Sequence, residues 1–175
     1  MKTSETKKNP EFLENVYELT AGLELLPALK LSLSEIDKLD VDQLETLGLR
    51  TYEKDKWTVN KIFQHLIDWE RIWSFRAIIF ARDEGTTPVA HDQEIMSKNS
   101  NADELSIQHL INELRVVRQS SILMFESFNK KILDTNCEFF EYEMPLSAIG
   151  FTIAAHQIHH FNIIKDRYIP LLDKD

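Results

Sequence analysis

The chain has 175 residues, enough for one domain spanning 1–175 that buries roughly two thirds of the surface its unfolded form would expose. Four Gly and five Pro against a large stock of Leu, Ile, Phe and charged residues favour long helices and leave an all-β fold little to stand on. A net charge of −9 with no cluster of Lys or Arg excludes nucleic acid as a natural partner.

Residues 1–10 are polar and Lys-rich and are expected to fray, after which Phe12, Leu13, Val16, Tyr17 and Leu19 suggest a short amphipathic segment. The opening MKTSETKKNPEF has positive charge but no apolar region behind it, and no apolar run approaches the roughly 18 residues of a membrane span. A first long helix is placed after Pro27, with Leu29, Leu33 and Ile36 spaced by four and three. Residues 40–53 read as an irregular crossover. Thr58 is the expected N-cap of a second helix reaching Ala81, and its stripe Ile62, His65, Trp69, Ile72, Arg76 sets His65 on an otherwise mostly apolar face. Gly85 to Pro88 end that helix, and a polar loop runs to Asp103. A third helix follows to about Leu133, with Leu110, Leu114, Val117, Ser121, Met124 and Phe128 in step. Beyond an acidic, aromatic stretch, Pro145 and Ser147 announce a last helix to Ile169 with the stripe Ile149, Ile153, His156, His160, Ile163. Four helices with inward stripes make an all-α, four-helix bundle the expected fold class. The single Cys137, expected to be half-buried near a loop, excludes an internal disulfide and fits a reducing, cytoplasmic setting.

Residues four apart on a helix differ by about 40° in azimuth, so His156 and His160 can face one ion from one turn. That pair alone does not decide the matter, since two hydrogen-bonded core histidines have the same spacing. His65 strengthens the metal reading, because a third ligand from a facing helix completes a set that leaves one position open. His159 is the rival, either as a ligand or as a neighbour hydrogen-bonded to one. His91 and His109 read as surface histidines. Asp68, one turn from His65, belongs either to a solvated face or to the support of that histidine. Arg76 continues the inward stripe and can pair with an acid such as Asp92 or bind an anionic substrate group.

These residues together resemble a known family: K-W-T-V-x-x-I-x-x-H-L-I-D-x-E-R from Lys56 to Arg71, R-A at Arg76 and Ala77, A-R at Ala81 and Arg82, D-Q at Asp92 and Gln93, S-N-A from Ser100 to Ala102, and A-x-H-x-I-H-H-x-N-I-x-K-x-R-Y from Ala154 to Tyr168. The pattern is similar to the DinB-like superfamily, in the branch of bacillithiol-transferase-like and putative metal-dependent hydrolase proteins, and covers roughly residues 12–172. The resemblance implies an up-down-down-up bundle, zinc or nickel at His65, His156 and His160, and, in some members, a low-molecular-weight thiol activated for transfer. Two positions depart from it: Ala155-His156-Gln157 stands where the family has G-H-E, and Ala90-His91-Asp92-Gln93 where it has G-F-D-Q. An acid-base role of that Glu does not pass to Gln157, whose amide does not titrate.

The expected function is that of a metal-dependent thiol transferase or hydrolase acting on a small molecule. The alternative is a non-catalytic, metal-stabilised dimer with a stress-related binding role. A second apolar stripe on the last helix, Phe151, Ala154, Ile158 and Phe161, must meet the chain's own residues or a partner, and leads to the expectation of a homodimer with that helix near its interface.

Overall fold

The computed structural model describes Val16, residues 18–20, 22–139 and 142–174. The tail expected over 1–10 and the apolar positions Phe12, Leu13 and Tyr17 lie outside these residues; Val16 is buried. Four long helices form the body: α1 (Leu25–Asp37), α3 (Val59–Arg82), α5 (Ile107–Glu126) and α7 (Leu146–Ile163). Three short ones lie between them: α2 (Val41–Leu47), α4 (Gln93–Asn99) and α6 (Lys130–Leu133). No helix among the described residues is long and apolar enough to cross a membrane.

Local chemistry sets the ends. Thr58 accepts the Lys61 N–H, as its N-cap position predicts, and α3 runs to Arg82, one residue beyond the expected end. Helix α1 begins two residues before Pro27 rather than after it. Pro27 is then the third helical residue, where a missing N–H costs no intrahelical bond. The crossover over 40–53 is more regular than expected, because Asp40 caps α2 by accepting the Gln43 N–H. Asp92 does the same for α4 inside the polar loop, accepting from Glu94 and Ile95. Helix α5 starts at the Ser106 cap and stops at Glu126, short of the expected Leu133, so Phe128 packs from the turn that follows. The stretch before α7 pairs as an antiparallel hairpin, β1 (Asn136–Phe139) with β2 (Tyr142–Pro145), opposing Cys137 to Met144. Both of these side chains enter the core, and Cys137 is fully buried rather than half-buried.

Residue pairings give the helix directions. Asn60 bonds the Ala102 and Leu105 carbonyls and Ser74 meets Ser121, so α3 and α5 run parallel. Gly150 near Leu25 and Gln157 at Ser32 make α1 and α7 parallel. His65 facing His156, and Phe63 facing Phe161, set α7 against α3. The path is up-down-down-up. Gly150 permits the close approach of α1, since a Cβ there would lie 2.6 Å from Leu25 Cδ1 and 3.1 Å from the Phe125 ring.

Two apolar clusters fill the bundle, one around Leu29, Phe125 and Ile149, the other around Phe63, Leu110 and Tyr168. Helix α7 is wrapped on several sides, which accounts for part of its second stripe: Ala154 is fully buried and Phe161 packs on Phe63 at 5.8 Å between ring centroids. The large exposed apolar side chains include Phe75 and Ile78 on α3 and Val116 and Leu123 on α5.

One polar knot crosses all four long helices. Arg118 on α5 makes a two-pronged bond to Glu70 on α3 at 2.9 and 3.0 Å, donates to the Ser32 hydroxyl on α1, and reaches the Ile153 carbonyl on α7 at 3.4 Å. Gln157 on α7 donates to the Ser32 carbonyl at 2.6 Å. Arg118, Glu70, Ser32 and Gln157 are all at most 3% exposed, so each charge depends on its partner. Arg118→Ala should therefore cost about 3–5 kcal/mol in urea unfolding by stranding Glu70. The double replacement Arg118→Met with Glu70→Leu should cost much less, and equal losses from both would show that stranded charge is not the source.

Candidate metal centre

Helix α3 brings His65 two turns in from the Thr58 cap, and α7 presents His156 and His160 one turn apart, facing it. The Nε2 atoms of His65 and His156 stand 2.9 Å apart, and those of His160 and His156 3.1 Å apart. The ligand atoms of all three lie within 4.8 Å of one another, and no Cys, Asp or Glu joins this group among the described residues. Trp57 packs on His65 at 4.8 Å between ring centroids. Its position is fixed from behind: α7 runs on into a π-helical turn (Ile164–Tyr168), which turns Tyr168 inward so that its hydroxyl donates to the Trp57 carbonyl at 2.5 Å.

Burial pushes the imidazole of His65 down to about 4. Burial, with the neighbouring His65 and His159, lowers His160 to about 3. His156 falls well below the ordinary value, through burial first and then the other histidines and Arg118. All three rings are therefore neutral at pH 7, the form that ligates metal. The Nε2 of His156 meets both of the others, so one ring proton or one lone pair must be shared between two partners. A cation among the three would instead take a lone pair from each ring. Three nitrogens on one tetrahedral zinc stand about 3.3 Å apart, close to the separations of the two pairs that share His156, and the third pair lies within 4.8 Å. The donor set fits a divalent metal.

The remaining residues singled out in the sequence fall around this centre with different roles. His159 is exposed, its ring 5.2 Å from that of His160, and it is outside the convergent group. Asp68 accepts from Gln64 at 2.9 Å, and burial raises its carboxyl. Arg76 donates to the Val89 carbonyl at 2.8 Å and lies over Trp69 and Trp73, while Asp92 is engaged in capping α4. His91 and His109 are exposed; His91 lies against Trp69 at 6.5 Å and His109 lies 3.7 Å from Glu113.

The charges from Asp68 to Arg71 read in sequence as a solvated helix face with local ion pairing, but Glu70 is buried against Arg118; Trp57 and Tyr168 stand in the family motif without a role, and sequence reasoning passes over Arg118 and Glu94. Glu70 and Arg118 had a readable signal, as charges interrupting the apolar series Leu66, Glu70, Trp73, Ala77 and Leu114, Arg118, Ser121. Beside His160 opens a cavity of about 240 Å³ lined by Tyr52, Asp55, Trp57, Glu94 and Tyr168. Glu94 is held there by the Trp57 indole N–H at 3.3 Å.

The depressed imidazoles carry a consequence for the metal-free protein. The unfolded chain takes protons at the ordinary histidine value of about 6.5, whereas the folded chain resists until about 4 at His65 and about 3 at His160. Stability from these groups is present in full above about pH 6.5 and declines as pH falls towards the folded values. Urea midpoints should drop between pH 7 and 5, and less steeply in His65→Gln; a flat profile there would contradict the buried, neutral trio.

Comparison with known proteins agrees with this architecture. No curated protein matches the chain. Among solved structures, YfiT from Bacillus subtilis, described as a probable metal-dependent hydrolase with an unusual four-helix bundle topology, superposes with a TM-score of 0.60. That match spans 95% of this chain and 93% of YfiT at 15% sequence identity, a likeness of fold. The family model of the DinB superfamily matches residues 28–164, which takes in every long helix but the first three residues of α1. The chain belongs to the DinB superfamily.

Proposed function

We propose that the chain is a divalent-metal-dependent enzyme acting on a small molecule, with His65, His156 and His160 as its ligands and a low-molecular-weight thiol as the group it activates for transfer. The observation that carries this is three convergent Nε2 atoms beside a cavity large enough for a small substrate. Three imidazoles suit zinc or nickel. A bound ion supplies Lewis acidity, lowering the pKa of a water or thiol at its open position.

The chain's own residues orient and shield. Trp57 and Tyr168 wall the site, and the Arg118 knot fixes the rotation of α7, so both of its histidines face His65. Gln157 spends its N–H on Ser32 and does not titrate, so the residue beside His156 supplies neither acid nor base. That favours thiol transfer, in which a lowered thiol pKa does most of the work, over hydrolysis as the second choice. The exposed Phe75 on α3 and Leu123 on α5, rather than the stripe of α7 on which a homodimer was expected, favour self-association, and with it a further reading as a non-catalytic, metal-stabilised homodimer with a stress-related binding role. Light scattering that returns the mass of one chain at micromolar concentration would remove the dimer.

Protein purified without a His-tag and loaded with zinc or nickel should hold one ion per chain. An ion at about 100 times its dissociation constant should add about 2.7 kcal/mol of stability, and chelation should lower the melting temperature. Replacing any of the three histidines by Ala should abolish stoichiometric binding and bring thiol conjugation to an electrophilic acceptor down to background. Metal-dependent ester or amide cleavage without conjugation would move the reading to hydrolysis. A loaded protein with neither activity would favour the non-catalytic role.

A further inference from the structure

The cavity beside His160 has a chemistry of its own. Its rings come from three places: Tyr52 from the segment after α2, Trp57 from the approach to α3, and Tyr168 from the π-helical turn. Tyr52 and Tyr168 meet edge to face at 5.1 Å, so their faces are held at nearly a right angle. Among these rings stand two carboxylates, Asp55 and Glu94, against one ammonium, Lys56. Lys56 is exposed and lies over the Tyr52 ring at 6.0 Å, so a cation already rests on this aromatic rim. The chain around it carries a net charge of −9. His160 also lines the cavity and joins it to His156.

From this arrangement we infer that the cavity binds the protonated amine of a small substrate, held by Asp55, Glu94 and the rings of Tyr52 and Trp57, with the substrate's opposite end directed at His160 and through it at the histidine trio. Aromatic faces attract cations through their quadrupoles, and two carboxylates add Coulombic attraction. A matched anion meets two like charges and one opposite. At about 240 Å³ the cavity is smaller than the roughly 300–1,000 Å³ of drug-sized pockets, which points to a compact amine rather than a peptide or nucleotide. The direction of the far end rests on the proposed metal site; the amine end does not.

The test compares tyramine with 3-(4-hydroxyphenyl)propionate, which differ mainly in an amine against a carboxylate, by calorimetric titration of metal-free and zinc-loaded protein. In the metal-free protein, where no ion can recruit the carboxylate, tyramine should bind at least about fivefold more tightly, and higher salt should narrow the gap. The double variant Asp55→Asn with Glu94→Gln should erase the preference. Both changes are mild: Asp55 sits at φ +63°, which an asparagine tolerates, and the amide oxygen that Glu94→Gln leaves in place can still accept the Trp57 indole N–H. Tighter binding of the propionate, equal binding of both, or no binding of either to the metal-free protein would overturn the inference. Zinc content measured on the same samples separates the two ideas. One zinc per chain without amine preference defeats the cavity assignment alone, whereas amine preference without zinc binding supports it and defeats the metal site.

Discussion

The bundle depends on one buried ion pair. Arg118 and Glu70 lie where a four-helix core would otherwise be apolar, and taking two charges out of water is repaid only when geometry and further hydrogen bonds are good. Those further bonds come from α1 and α7, through the Ser32 hydroxyl and the Ile153 carbonyl, so the pair is satisfied only when all four long helices are in register. Slipping any helix by one residue leaves a charge or carbonyl exposed to a dry core. Apolar packing is less selective, since Leu and Ile tolerate modest sliding. The polar knot thus selects one arrangement among many that would bury similar area.

That selection reaches the histidines directly. The Ile153 carbonyl and Gln157 flank His156 in sequence, so the bonds that position α7 are made within one turn of that histidine. Glu70 lies five residues beyond His65 on α3. The knot and the histidine trio are two successive polar layers of one bundle, the first fixing the register and the second using it. Between them the bundle keeps three imidazoles neutral and close, a costly state for the free chain and a prepared one for a cation.

The opposite side of the site is built by the segment over 50–58 and the end of α7. The π-helical turn after His160 is wider than an α-helical one, which rotates Tyr168 inward to grip the Trp57 carbonyl. Trp57 in turn packs on His65 and, through its indole N–H, holds Glu94 of the short α4. His65, the cavity wall and a carboxylate of that cavity are therefore joined through one tryptophan. The proposed metal centre and the proposed amine cavity share this support.

Helical periodicity alone determined the four long helices, the inward faces of His65, His156 and His160, and the Thr58 cap, because spacing by three and four is a property of the chain's own geometry. The up-down-down-up path came from likeness of motifs, since no local rule orders helices around a core. Tertiary structure decided the rest. Asp40 and Asp92 each turned a stretch read as loop into a short capped helix, a sequence signal too brief to stand out among other polar residues. Leu25 and Leu26 joined α1 ahead of Pro27 because packing rewards an extra half-turn that the proline does not forbid. The hairpin around Cys137 and Met144 forms because two apolar side chains find the bundle floor. Arg118 and Glu70 were visible as charges on apolar faces, yet only the meeting of α3 with α5 shows that they answer one another. The cavity could not be read along the chain at all, for the segment from Tyr52 to Trp57, Glu94 of α4 and Tyr168 span more than a hundred residues and become neighbours only in the folded bundle.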